Sequence, residues 1–315
     1  MIGYFIRRIL QLLPVLLIAS LLVWAMIYAV PGGPVAVIVG ENASAEQVQA
    51  VTERLGLDRP VLVQYAAWLK SVFLGDLGTS IHSREPVLKL IGQRLPASLQ
   101  LAAAATFIAL LLGVPLAIAS AVKPGSWIDR LISGWSAVAL GVPTFWLGIL
   151  LILLFAVELR WLPSASAYVP FWESPLQALR NVFLPALTLG VYVSGIFARF
   201  LRASLIGELK ADYVRTARSK GLKERDVVGR HVLRNALLPF VTIVGLMMAN
   251  FIGGTVVTEA VFTYPGLGRL LIQAISTRDY PLIQGCILVI LVIYVGINVL
   301  VDVLYAYIDP RIEYA

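Results

Sequence analysis

Cysteine and histidine are almost missing from this chain of 315 residues, which holds one cysteine and two histidines. The lone thiol, Cys286, excludes a disulfide framework within the chain and a cysteine-rich zinc site. Two imidazoles, His82 and His231, exclude constellations that need several. Charge is scarce as well: 14% of residues are charged, 59% are hydrophobic and the mean hydropathy is +0.85. Soluble domains run at about 25% charged and 45 to 50% apolar, so the composition is that of a membrane protein. A G-x-x-x-x-G-K-[ST] phosphate loop is also lacking, since Gly-Lys never occurs as a dipeptide, and the chain carries no nucleotide site of that type.

What the chain does have is long apolar runs. A bilayer is crossed by about 20 apolar residues, and six stretches qualify: Ile9 to Val30, Leu99 to Val122, Leu131 to Val157, Val182 to Ala198, Leu237 to Thr258 and Leu282 to Tyr307. The reading is an all-α integral membrane protein with six spans in one domain, 1–315. Arg7 and Arg8 precede the first run, but its length and the lack of a clear A-x-A site mark an uncleaved helix rather than a signal peptide.

Counting charge on alternate sides of these spans gives the orientation. The side with the N-terminus (1–8, 123–130, 199–236 and 302–315) has 15 basic and 8 acidic residues, whereas the other (31–98, 158–181 and 259–281) has 10 of each. The whole excess of +7 lies on one face, which the positive-inside rule assigns to the cytoplasm, with both termini inside. An anionic leaflet accounts for the basicity without nucleic acid. No ionisable residue falls in the middle of a span, which disfavours a proton-coupled carrier or ion pump. No histidine lies in a span to activate Ser20, Ser120, Ser133, Ser136 or Ser194, so an intramembrane serine protease is disfavoured too.

In the second span Ala105, Ala109, Gly113, Ala117 and Ala121 recur at every fourth position, a small-residue face that admits a close helix. Burial against a neighbour in the same chain is the first reading of it, a pore or subunit seam the second. Pro14, Pro115, Pro143, Pro185 and Pro239 lie in or at the ends of spans, where each removes a helix hydrogen bond. The external loop 31–98 opens on Pro31-Gly32-Gly33-Pro34, and residues 45–57 have the spacing of an amphipathic helix capped by Ser44. It reads as a small subdomain, a lid, a docking surface or a stabilising element.

The inner loop 199–236 holds ten of the 25 basic residues. Two helical stretches, Leu209 to Lys220 and Lys223 to Leu233, flank Gly221, a natural C-terminal cap. Charge alone describes a solvated loop. The order of residues says more: Asp212-Tyr213-Val214-Arg215-Thr216-Ala217-Arg218-Ser219-Lys220-Gly221-Leu222, followed by Arg230-His231-x-Leu233-Arg234-Asn235-Ala236-Leu237-Leu238-Pro239, resembles the signature loop of ABC importer permeases. Within these the chain resembles the dipeptide and oligopeptide permeases. The likeness extends through Gly75-Asp76-Leu77-Gly78-Thr79-Ser80, Arg94-Leu95-Pro96-Ala97, Pro143-Thr144-Phe145-Trp146-Leu147-Gly148 and Leu184-Pro185-Ala186-Leu187-Thr188-Leu189-Gly190. It continues in Pro265-Gly266-Leu267-Gly268-Arg269-Leu270, Arg278-Asp279-Tyr280-Pro281 and Asp309-Pro310-Arg311. The general pattern has Glu-Ala-Ala before the glycine; here Arg215-Thr216-Ala217 stands in its place.

The resemblance implies a type I importer permease fold in a bacterial inner membrane and a role in moving peptides or peptide-like solutes inward by alternating access. It implies a second homologous permease, one or two P-loop ATPase subunits and an external substrate-binding protein as partners. ATP and Mg would be bound by the ATPases and no cofactor by this chain. The loop would be a coupling helix, with Thr216, Ala217, Gly221 and Leu222 at the core of the ATPase contact and Tyr213, Arg215, Arg218 and Lys220 around it. The cargo is left open among dipeptides, oligopeptides, glutathione, a nickel chelate and a sugar conjugate, and so are the residues lining the pathway. The reading of another class is a non-transporting membrane scaffold that recruits a soluble partner through the same loop.

Overall fold

The computed structural model describes residues 2–29, 58–308 and the isolated positions 44, 46, 49, 52 and 53. The expected helix over 45–57 lies largely outside them. Among the described residues there is no strand, only an isolated bridge between Thr79 and Pro86. Among the described residues five helices are long and apolar enough to cross a membrane, and a pair bent by 98° brings the number to six if it is taken as one span. The chain forms two compact units, Met1–Pro96 with Arg269–Val295 and Ala97–Gly268 with Gly296–Ala315.

In the first unit α1 (Ile2–Ala25) tightens into a 3-10 turn, Met26–Ala29. Near that end the Gln284 amide donates to the carbonyls of Val23 (3.1 Å) and Trp24 (3.2 Å), satisfying groups that a helix terminus leaves open. The following helix, α2 (Val61–Phe73), has 13 residues, about 20 Å of rise, and is too short to cross. It lies against α1 through Ser20 Oγ and the Tyr65 hydroxyl at 2.7 Å and an edge-on Trp24–Tyr65 contact. The 36-residue α3 (Val87–Val122) rises about 54 Å, so its first turns, expected as loop, are helix. The unit closes with α10 (Leu267–Ser276), which it shares with the other unit's chain, and the start of α11 (Tyr280–Ile308). Two of the sequence motifs meet here, where the Ser80 hydroxyl donates to the buried Asp279 carboxylate.

The second unit is built around α6 (Pro175–Leu209), whose most apolar window is 67% buried, against 17% for α1 and α11. The small-residue face of α3 lies within this core: Ala105, Ala109 and Ala117 are fully buried and Ala121 is nearly so. Glycines set the approach. A Cβ on Gly113 would stand 2.8 Å from the Phe197 Cβ, and one on Gly190 would stand 2.6 Å from the Ile108 Cγ2.

The expected third span is not continuous. It is α4 (Trp127–Gly141) followed by α5 (Thr144–Leu151) and a π-helical stretch (Ile152–Glu158), with a 98° bend at Val142 and Pro143. Pro143 has no N–H to continue the ladder and biases the preceding residue away from the α region; Val142 accordingly has ψ 123°. Pro14, Pro185 and Pro239, in contrast, are carried inside unbroken helices.

Beyond α6 come α7 (Asp212–Ser219) and α8 (Glu224–Gly254), the latter with a π-helical stretch at Val227–Val232. The loop 199–236 is thus shorter than expected. Residues 199–209 are the end of α6, and the second expected stretch, Lys223 to Leu233, is the beginning of the fifth span rather than a separate helix. Finally α9 (Val256–Val261) carries Glu259, fully buried. Its Oε1 accepts from the hydroxyls of Ser98 (2.7 Å) and Thr255 (2.9 Å), while Ser98 Oγ accepts the Leu267 N–H at 2.8 Å. The Pro265-Gly266-Leu267-Gly268 motif owes its glycines to this packing, since a Cβ on Gly266 would collide with that carboxylate and one on Gly268 would stand 2.7 Å from the Val256 Cα.

Candidate functional site

What projects between the fourth and fifth spans is the segment 210–223, centred on α7. Asp212 in its first turn and Arg218 in its last complement the helix dipole. Val214 and Ala217, three residues apart, are buried in the core with Val227, Val232 and Ala236 of α8, so α7 lies on its side against the chain with one narrow apolar stripe inward. The remaining residues face out.

The end of α7 is a Schellman turn. Gly221 has φ +78°, its N–H donates to the Arg218 carbonyl at 2.9 Å, and the Leu222 N–H reaches the Ala217 carbonyl at 3.4 Å. The turn reverses the chain into α8 and leaves Leu222 42% exposed, an apolar side chain at the tip of a charged segment. Two side-chain ties fix the pose. The Tyr213 hydroxyl donates to Glu208 on α6, and the Arg218 guanidinium meets Glu224 through two bonds of 2.6 and 3.1 Å. Burial, with help from Glu208, pushes the Tyr213 phenol above its ordinary value, and the Glu224 carboxylate raises Arg218, so both keep one charge state across physiological pH. The Arg218–Glu224 pair is half exposed and is worth about 0 to 1 kcal/mol; its effect is on orientation.

Of the residues singled out by sequence, the structure brings Tyr213, Arg215, Thr216, Arg218, Lys220, Gly221 and Leu222 to one exposed surface. Ala217 departs from expectation. It is 8% exposed and seats the helix on its own chain instead of facing outward, because the inward stripe is set by Val214 three residues earlier. Arg215 is almost free in solvent, 3.7 Å from an equally exposed Asp212.

Sequence reasoning missed a second cluster where the end of α3, the start of α4 and the last turns of α6 meet. Asp129, on the first turn of α4 beyond its cap Ser126, receives Arg202 through Nε (2.7 Å) and Nη2 (2.8 Å), the Gly125 N–H (2.7 Å) and the Ser120 hydroxyl. The forked geometry is that of a strong Arg–carboxylate pair. In the charge count both Asp129 and Arg202 are loop residues. The only available signal was the Ser126–Asp129 spacing of a helix start, which says nothing of Arg202. No group of three His, Cys, Asp or Glu among the described residues could hold a metal.

An α-helical bundle with such a projecting helix has known relatives. The model for binding-protein-dependent transport system inner membrane components matches residues 113–314, and the corresponding N-terminal model matches 1–102. The chain belongs to this family. A dipeptide transport system permease protein of Alkalihalophilus pseudofirmus is 38% identical over 337 residues, and a glutathione transport system permease protein of Salmonella typhimurium is 42% identical over 314, each alignment covering 100% of both chains. The fold is similar to that of a chain of the MetNI methionine ABC transporter in an inward-facing conformation, with TM-score 0.57 and 18% identity over 70% of this chain and 96% of that one. An amino acid ABC transporter chain matches with TM-score 0.50 and 18% identity, over 71% and 94%. The protein is therefore a multi-pass inner-membrane permease of the ABC importer type.

Proposed function

We propose that this permease moves peptides into the cytoplasm as one half of a two-permease pathway, with ATPase subunits engaged by the exposed face of α7 and a binding protein delivering cargo outside. The observation that carries the cargo class is full-length identity of 38% to a permease named for dipeptides. Glutathione is the second reading, carried by 42% identity to a permease named for it. Both termini lie in the cytoplasm in this account, supported by the charge asymmetry. ATP and Mg belong to the partners.

In this mechanism α7 is a rigid lever. Its inward stripe and the ties to Glu208 and Glu224 bind it to the ends of α6 and α8, so a displacement imposed on its exposed face is passed to two spans. Alternating access then requires only that nucleotide states bind two packings differently; about 5.5 kcal/mol of bias converts 1:99 into 99:1. The test is to extract the tagged chain in mild detergent and identify what accompanies it by mass spectrometry. Recovery with a second six-span permease and P-loop ATPases supports the account, whereas a stable chain recovered alone, without ATPase activity, favours a lone carrier or scaffold.

A further inference from the structure

The bend at Val142 and Pro143 leaves a cavity of about 390 Å³ between the end of α4, the start of α5, the middle of α6 and the far end of α8. All its walls belong to the second compact unit. It lies away from α7, since α8 begins beside that helix and the cavity is near its last residues.

Three features set it apart from a packing defect. Gly141 and Pro143 are exposed at the break, and irregular backbone within an apolar span is tolerated only where it is covered by protein or lines water. Asn250, on α8, is exposed in a helix otherwise apolar around it, where hydrocarbon would leave its side-chain oxygen without a donor at considerable cost. The Asn250 Nδ2 donates to the Leu246 carbonyl at 2.9 Å, which leaves the side-chain oxygen to accept from elsewhere. Two hydroxyls, of Tyr192 on α6 and Thr144 on α5, line the same space and make no hydrogen bond among the described residues. Met247 and Phe251 supply an adaptable apolar wall.

The lining holds no Asp, Glu, Lys, Arg or His. Its polar groups are neutral donors and acceptors, matching the amide and carbonyl of a peptide bond and indifferent to the charge of the side chains it joins. The volume is at the lower end of the range of about 300 to 1,000 Å³ for small-molecule sites. We propose that this cavity is a station of the translocation pathway where Tyr192, Asn250 and Thr144 hydrogen-bond the main-chain amides of a peptide in transit. The ligand class rests on the peptide reading above; the aqueous access does not.

The test uses the complete transporter in lipid nanodiscs. Cys286, the single native thiol, is fully buried, so cysteines introduced one at a time by Asn250→Cys, Tyr192→Cys and Thr144→Cys report without removing it. A charged, membrane-impermeant maleimide is expected to label these at least tenfold faster than Phe107→Cys, an exposed apolar position on α3. Saturating trialanine, delivered on the binding protein with ATP, is expected to slow that labelling about threefold or more. In proteoliposomes Asn250→Leu should lower trialanine uptake about tenfold. Labelling of all three positions no faster than at Phe107→Cys would mean that lipid or the second permease fills the space, overturning the proposal. Fast labelling without protection, and uptake unchanged in Asn250→Leu, would overturn the binding role. If the unmodified transporter moves neither trialanine, alanyl-alanine nor glutathione, the peptide class falls, and the labelling rates show that failure separately from a closed cavity.

Discussion

Removal of the Asp129 carboxylate is the most quantitative perturbation the structure offers. The carboxylate is 7% exposed and its partner guanidinium 30%. Asp129→Ala leaves Arg202 without its anion and the Gly125 N–H and Ser120 hydroxyl without an acceptor. Breaking a buried pair from one side costs about 3 to 5 kcal/mol; the partial exposure of Arg202 lets it turn toward headgroups or water, which places the expected loss at the low end, about 3 kcal/mol. Arg202→Ala costs a similar amount by stranding Asp129. The double variant removes both charges together and should cost clearly less than the sum, with a coupling of about 2 kcal/mol. Equilibrium unfolding of the purified permease in mixed micelles, read by tryptophan fluorescence for the unsubstituted protein and the three variants, measures each term. Single losses below about 1 kcal/mol that simply add would refute the view that this pair holds the start of α4 against the last turns of α6.

Other outcomes follow from particular contacts. Gly221→Pro places a residue fixed near φ −65° where the backbone has φ +78° and deletes the N–H bonded to Arg218, so transport should fall at least tenfold while ATPase activity and membrane levels persist; normal uptake would count against α7 as the coupling element. Gly113→Leu drives a side chain into Phe197 and should cost about 1 to 3 kcal/mol, visible as a lower unfolding midpoint; an unchanged midpoint would mean α3 and α6 can separate freely. Ser98→Ala leaves the buried Leu267 N–H without its acceptor and takes a donor from Glu259, for a loss of about 2 kcal/mol by the same assay, with a change under 0.5 kcal/mol speaking against that network.

The six spans were legible because apolar length is a one-dimensional property, and the charge asymmetry is read without any fold. The bend at Val142 and Pro143 was not, since residues on both sides are equally apolar and hydropathy is blind to direction; Pro143 alone hinted at it. Arg199 and Arg202 read as loop residues because a helix leaving the membrane becomes charged just where its hydropathic signal ends. Within α7 the phase of the helix, which turns Ala217 inward and Thr216 outward, depends on Val214 packing against α8 and is not set by the order of residues alone. The Asp129–Arg202 pair joins positions 73 residues apart, beyond the reach of any local pattern.

The central claim is that this chain transports only as a permease driven through α7. Its direct test is uptake of labelled trialanine into proteoliposomes containing the chain, the second permease, the ATPases and the binding protein, with each component omitted in turn. The account predicts ATP-dependent accumulation that vanishes when the ATPases are left out and is lost in Gly221→Pro despite continued hydrolysis. Uptake by this chain without ATPases or ATP would contradict it.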